Sequence, residues 1–329
     1  MKWVLLVLVV IVVIPVIAAA AILLLDSPVP PKPLASIEHA FDGVDFSNLP
    51  KPQTYTARDG TQLRYLAYPG RGPATVVLIH GSSGWAANMH VLAEALQRRG
   101  ANVYALSMRG HDGTGRPGDI DYVGQLDDDL ADFIKTLPAK KVGETRTLLG
   151  FSSGGGFVLR VAGGPDGKLF DRFVFVSPDL PYNAPTIRVA DAKDGSEVAV
   201  WAVPAIPRII VLTTLSRFGI HAFGGLPVLA FAVAPEYRNV QTAFYSFRML
   251  QNFGATQDYK QDLKRAPGSV ALFVGGNDEL FYPDRFAPLL KPARPDLTVR
   301  IIPGMGHMDM TVKSAAVEEI AASVMAPTH

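Results

Sequence analysis

The sequence predicts an α/β fold, a mostly parallel central sheet with helices on both faces. Two observations carry this. From about residue 53, short β-rich runs alternate with helical stretches, and several of the strand-like runs, such as "ATVVLI" and "TLLGF", are apolar over most of their length rather than alternating. Strands separated by helices pair in parallel through right-handed crossovers, and a parallel sheet buried on both faces reads as continuous apolar runs.

Taken in order, "QTYTAR" and "TQLRYLAY" flank Asp59-Gly60 and read as a hairpin. "ATVVLIHG" (74–81), a helix over 88–100, "ANVYALSM" (101–108), a helix over 122–137 and "TRTLLGF" (145–151) follow. After a helix carrying "FVLRVAG", "DRFVFVSP" (171–178) is a further buried strand. "SVALFVGG" (269–276), "LTVRIIP" (297–303) and a helix near 310–325 close the series. The expected organisation is a first core part over 53–178 and a second over 268–329, with an insertion over 179–267 between them.

Composition excludes several functions. The 329 residues carry 31 basic and 30 acidic side chains, so no nucleic acid or other polyanion is an expected partner. Zero cysteines exclude thiolate catalysis, cysteine-based zinc sites and disulfides. No cofactor or metal is expected.

Residues 1–25 differ from the rest. "WVLLVLVVIVVIPVIAAAAILLL" contains no charge and, as a helix at about 1.5 Å per residue, is long enough to cross a bilayer. It reads as a transmembrane signal-anchor, with secretion after cleavage at Ala18–Ala21 as the alternative. Lys2 and the terminal amine favour a cytoplasmic N-terminus, which places the folded body on the extracytoplasmic side. Residues 26–52 begin with the proline-rich "DSPVPPKP" and read as a stiff linker.

In such sheets chemistry sits at the carboxyl ends of the strands. There, Gly150-Phe151-Ser152-Ser153-Gly154 satisfies G-x-S-x-G, a strand-to-helix turn in which glycines give room for an exposed nucleophile. The glycines do not form a phosphate cradle, because no lysine follows them, and "GGPDGKL" (163–169) ends in leucine where a P-loop needs serine or threonine. A serine nucleophile needs a base. Downstream of Ser152 stand only His221, His307 and His329, and His307 in "PGMGHMDM" directly follows a buried strand. His221 lies in an apolar insert and reads as packed or lining. Asp278 in "VGGNDELF" is the first choice for the acid that orients the imidazole, with Glu279 beside it and Asp179 as runner-up. Backbone N–H groups of Ser153 and of Ser82 in "HGSSG" are the expected oxyanion donors, with His80 shaping that loop.

With "LIHG", "ALSMRGH", "LLGFSSGGG", "FVGGND" and "GMGH" in this order, the chain resembles the α/β-hydrolase family, in particular its monoacylglycerol lipase and lysophospholipase-like serine hydrolases. The pieces cover about 55–178 and 268–326. Two positions depart from the family pattern: Arg109-Gly110-His111-Asp112-Gly113-Thr114 stands for R-G-H-G-x-S, and Phe151 stands where histidine is common. The resemblance implies the α/β-hydrolase fold and a Ser152, Asp278, His307 triad acting through an acyl-enzyme. It implies a small-molecule acyl ester as substrate. The region 198–234 carries only Arg208 and Arg217 as charges, reading either as a buried cap core or as a greasy lid that lines an acyl pocket and touches the membrane. Its lack of acids favours esters over peptides. The same residues would serve a thioesterase, a peptidase or a C–C hydrolase, and a membrane-tethered scaffold without activity is the reading from a different class.

Overall fold

A computed structural model describes residues 13–188, 200–238 and 240–326. Numbered in chain order, the strands are β1 (Gln53–Thr56), β2 (Gln62–Tyr68), β3 (Ala74–Ile79), β4 (Asn102–Leu106), β5 (Thr145–Phe151), β6 (Arg172–Val176), β7 (Ala202–Pro204), β8 (Pro227–Phe231), β9 (Phe244–Ser246), β10 (Ser269–Gly275) and β11 (Thr298–Ile302). The helices are α1 (Ile14–Leu25), α2 (Ala35–Glu38), α3 (His90–Arg98), α4 (Gln125–Thr136), α5 (Ser153–Gly163), α6 (Ile206–Arg217), α7 (Phe247–Asn252), α8 (Tyr259–Arg265), α9 (Phe286–Leu290), α10 (Asp309–Val312) and α11 (Ser314–Met325).

Eight strands make the main sheet in the order β1-β2-β4-β3-β5-β6-β10-β11. The β1–β2 hairpin and the β2–β4 pair are antiparallel, and every pairing from β4 to β11 is parallel. The central strands lie between two apolar layers. Val77, Ile79, Leu148 and Phe175 face one cluster with Phe157 and Phe133, whereas Val76, Leu78, Leu149 and Val176 face another with Leu92 and Ile320. That double burial is why these strands read as unbroken apolar runs.

The chain between β6 and β10 builds a sheet of its own, with β7, β8 and β9 antiparallel in that order. Pro204, Pro207 and Pro227 stand at the ends of its strands and helix, and Gly219, Gly224 and Gly225 in the turns between them. Of the apolar run 198–234, 198 and 199 lie outside the described residues, as does the terminal His329.

The expected membrane-spanning helix is not found among the described residues, where no helix is long and apolar enough to cross a bilayer. Helix α1 has 12 residues, which at about 1.5 Å each falls well short of the roughly 30 Å hydrocarbon core. Residues 1–12 of the apolar run lie outside the described residues. The linker that follows is not a free spacer: Asp26 Oδ2 accepts the backbone N–H of Arg208 at 3.0 Å, and Leu49 packs against the core of the body.

Buried charge ties the hairpin to the sheet face. Arg109, 4% exposed, holds Asp129 through two hydrogen bonds of 2.7 Å each and also reaches Asp59 at 2.8 Å. The arginine of the R-G-H segment is therefore a structural knot between the β1–β2 turn and α4.

Candidate active site

Ser152 sits at the junction of β5 and α5 with φ +54° and ψ −122°, a conformation that non-glycine residues adopt only under constraint. Close packing imposes it. A side chain at Gly154 would place its Cβ 2.3 Å from the His80 carbonyl oxygen, so the helix can start this near β3 only with glycine there. The bend leaves Ser152 at the carboxyl edge of the sheet, 6% exposed and at the floor of a pocket that His307 also lines. No hydrogen bond joins the Ser152 hydroxyl to His307 in this structure, a common looseness before substrate binds.

His307 and Asp278 do meet. Asp278 Oδ2 accepts from His307 Nδ1 at 2.9 Å, and both side chains are buried, at 2% and 0% exposure. Oδ1 of the same carboxylate accepts the backbone N–H groups of Leu280 and Phe281 at 3.0 Å each. Both oxygens are thereby committed, and the carboxylate cannot turn. The loops carrying acid and base are pressed together after β10 and β11: a Cβ on Gly275 would lie 2.3 Å from the Met305 carbonyl oxygen. Arg188 staples the acid's loop from outside, donating through Nε to the carbonyls of Asp278 and Phe281 at 3.0 and 2.9 Å.

The electrostatics of this pair are opposed by burial and won by charge. Burial penalises the imidazolium, but the charge and hydrogen bond of Asp278, with Glu279 and Asp179 adding to them, hold the His307 pKa above the ordinary histidine value of 6.5. Burial likewise penalises the Asp278 carboxylate, and His307 pulls its pKa below the usual 3.8. With Nδ1–H given to Asp278, the neutral ring exposes Nε2 as a base. Glu279 accepts the backbone N–H of His307 at 2.8 Å, so it orients the loop rather than the ring. The runner-up Asp179 donates its N–H to the Ser152 carbonyl at 2.9 Å, and burial pushes its carboxyl up to about 6 against the pull of His307.

Phe151 and Phe281 flank the imidazole, with ring centroids 4.7 and 5.2 Å from that of His307. The departure at Phe151 thus supplies an apolar wall that fixes the base. Sequence reading missed this, because an aromatic before the nucleophile carries no signal of what it packs on.

The expected oxyanion donors stand on either side of the nucleophile. Ser153 is the first residue of α5 and Ser82 lies in the loop after β3, lining the same pocket as Ser152. Among the described residues neither backbone N–H has a hydrogen-bond partner. His80 is a structural residue of this loop: its Nδ1–H donates to the Gly81 carbonyl at 2.7 Å, Nε2 accepts the Met108 N–H at 3.1 Å, and full burial keeps it neutral. His221, expected to be packed or lining, is exposed beside Ser216.

Two residues between β6 and β10 that sequence reading did not single out grip the loop after β3. The Trp201 indole N–H donates to Ser82 Oγ at 2.8 Å. The Tyr245 hydroxyl accepts the Ser83 N–H at 2.8 Å and meets His111 Nε2 at 2.6 Å. Burial holds His111 neutral with its pKa near 4, and its Nδ1–H is directed at the Met108 and Arg109 carbonyls, so Nε2 accepts the tyrosine proton. Tyr245→Phe leaves the Ser83 N–H without a partner, which costs about 1–3 kcal/mol of loop ordering. The expected result is a kcat lower by about tenfold with KM little changed, since a mis-set oxyanion donor is felt in the transition state. Steady-state kinetics on a soluble ester check this; a change in KM alone refutes it.

Residues 76–323 match the alpha/beta hydrolase family, and the chain belongs to that family. No curated protein matches it in sequence. Among solved structures it is similar to a monoglyceride lipase from Saccharomyces cerevisiae, at 17% identity and TM-score 0.63, covering 85% of this chain and 97% of that one. A monoacylglycerol lipase from Paleococcus ferrophilus aligns at 19% identity and TM-score 0.57 over 80% and 98% of the two chains. A membrane phospholipase A described as a bacterial virulence factor aligns at 16% identity and TM-score 0.55 over 99% of each chain. Membership of that family makes the protein a hydrolase, and the solved neighbours share its fold.

Proposed function

We propose that the protein is a membrane-anchored serine hydrolase that cleaves carboxylic esters of lipid-like acyl substrates. The observation that carries this reading is the buried 2.9 Å hydrogen bond between His307 and Asp278 beside Ser152 on its strained turn. Ser152 gives its proton to His307 Nε2 and attacks the ester carbonyl. The N–H groups of Ser82 and Ser153 take the oxyanion, and the imidazolium returns the proton to the departing alcohol. Water, deprotonated by the same imidazole, then releases the acid.

The lipid-like substrate is supported by the apolar cap and by neighbours that include lipases of monoacylglycerols and a membrane phospholipase A. The anchor is supported by the uncharged run from Trp3 to Leu25 and by Val16, Ile17, Leu24 and Leu25, all exposed on α1. The catalytic body then stands on the extracytoplasmic side.

Covalent labelling by a fluorophosphonate tests the chemistry. Stoichiometric labelling of the full-length protein in detergent, lost in Ser152→Ala and in His307→Ala, is the expected result. A folded wild type that stays unlabelled overturns the reading and leaves the non-catalytic scaffold.

A further inference from the structure

The pocket above Ser152 does not end at the catalytic residues. Its inner chamber, about 30 Å³, is lined by Ser82, Ser152 and His307 and also by Ile37 and Phe41 from the N-terminal segment. A second cavity of about 230 Å³ lies against it and shares Ile37, Phe41, Asn88, Trp201 and Gln241 with the first. Beyond that shared boundary the larger cavity is walled mainly by Phe46, Trp85, Ala234, Tyr237 and Val240, with the exposed Asp42 its one charged residue. A concave cleft walled mainly by aliphatic and aromatic side chains beside a candidate nucleophile has the character of a ligand site.

The segment that closes these chambers is pinned at both ends. At one end Arg208 of α6 gives its backbone N–H to Asp26 and its guanidinium to Ser27, at 3.0 and 3.3 Å, while Leu23 packs with Leu212, Val228 and Phe247 of the cap. At the other, Asn48 Oδ1 lies 3.1 Å from His90 Nε2, whose Nδ1 is 2.9 Å from the Tyr68 hydroxyl, and Leu49 packs on the core of the body. Phe46 bridges Phe41 and His90, with centroids 6.2 and 5.8 Å away. Chain that merely connected an anchor to a domain would need neither attachment.

We propose that residues 26–49 are a strap that forms one wall of an acyl-chain site, Ile37 and Phe41 contacting the chain of an ester whose carbonyl sits at Ser152. This rests on the esterase reading above and adds the substrate's size. Of the parts of such an ester only the acyl chain is long and apolar, and the outer chamber's lining is mostly aliphatic and aromatic. Taking about 30 Å³ for a water-sized group, the outer chamber holds about eight methylenes. Medium-chain esters are therefore the preferred substrates, and the N-terminal segment, remote in sequence from every catalytic residue, sets that preference.

The test compares kcat/KM across p-nitrophenyl esters from C2 to C14, using the full-length protein in a steroid-based detergent. Wild type should be best near C8. Ala234→Phe, which fills the outer chamber, should lower the C8-to-C2 ratio by about tenfold or more, as expected when chain carbons lose an apolar pocket. Phe41→Ala, which widens the strap's wall, should move the optimum to longer chains. A profile unmoved in both variants overturns the proposal.

A second readout separates this from failure of the catalytic reading. Trp85 and Trp201 line the chamber, so decanoate added to the Ser152→Ala protein should change tryptophan emission to saturation, with weaker binding in Ala234→Phe. Saturable binding without ester hydrolysis by wild type would retain the chamber and remove the enzyme. Absence of any emission change would remove the chamber even if esters are cleaved.

Discussion

Asp278→Asn lowers kcat/KM by about four orders of magnitude without unfolding the protein, the size of loss seen when a triad acid is made an amide. The structure shows why an isosteric change is so costly. Oδ1 accepts the Leu280 and Phe281 N–H groups. In the variant the amide oxygen must keep those two bonds, which turns the amide NH₂ toward His307 Nδ1. The ring then accepts at Nδ1 and carries its proton on Nε2, where it cannot receive one from Ser152.

The pH profile gives an independent check with a defined sign. In the proposed mechanism His307 works as the neutral base, and its pKa is held above 6.5, against burial, by the charge of Asp278. Wild-type kcat/KM should therefore rise with pH through a value above 6.5 and be lost below it. Without the aspartate's charge the burial penalty is less opposed, and the rising limb of the residual activity moves to lower pH. Should Asp179→Asn, not Asp278→Asn, cause the large loss, the acid has been assigned to the wrong strand end.

Arg109→Ala should destabilise the fold by about 3–5 kcal/mol, the usual result of removing one partner of a buried ion pair. Asp129, 3% exposed, loses both of its charge-assisted hydrogen bonds and has no water to replace them. The Asp59 and Thr61 contacts go with it, so the β1–β2 turn loses its tie to the sheet face. Arg109→Lys should recover only part of the loss, because an ammonium cannot match the two-pronged contact with the carboxylate. Urea unfolding of the three proteins measures this. A change below about 1 kcal/mol in Arg109→Ala would place the pair among the solvent-screened ones.

What the sequence determined by itself are features written in local pattern. The sheet's central strands were legible because a strand buried on both faces carries no alternating polar side, as in Val76–Ile79 and Leu148–Leu149. Ser152 was legible because its turn demands glycine at Gly150 and Gly154, and His307 because few histidines follow it and one directly follows a strand. The cap was legible as apolar but not as a three-stranded sheet, since its short strands have no repeating pattern apart from the hydrophobic run. Only the tertiary structure decided the rest. The grip of Tyr245 and Trp201 on the loop after β3, the aromatic walls around His307 and the pocket that Ile37 and Phe41 share with Ser152 join residues more than a hundred positions apart. No local spacing encodes such contacts. They follow from which surfaces come together when the apolar faces of the sheet, the cap and the N-terminal segment leave water, and chain that follows the proline-rich stretch lines the pocket for that reason.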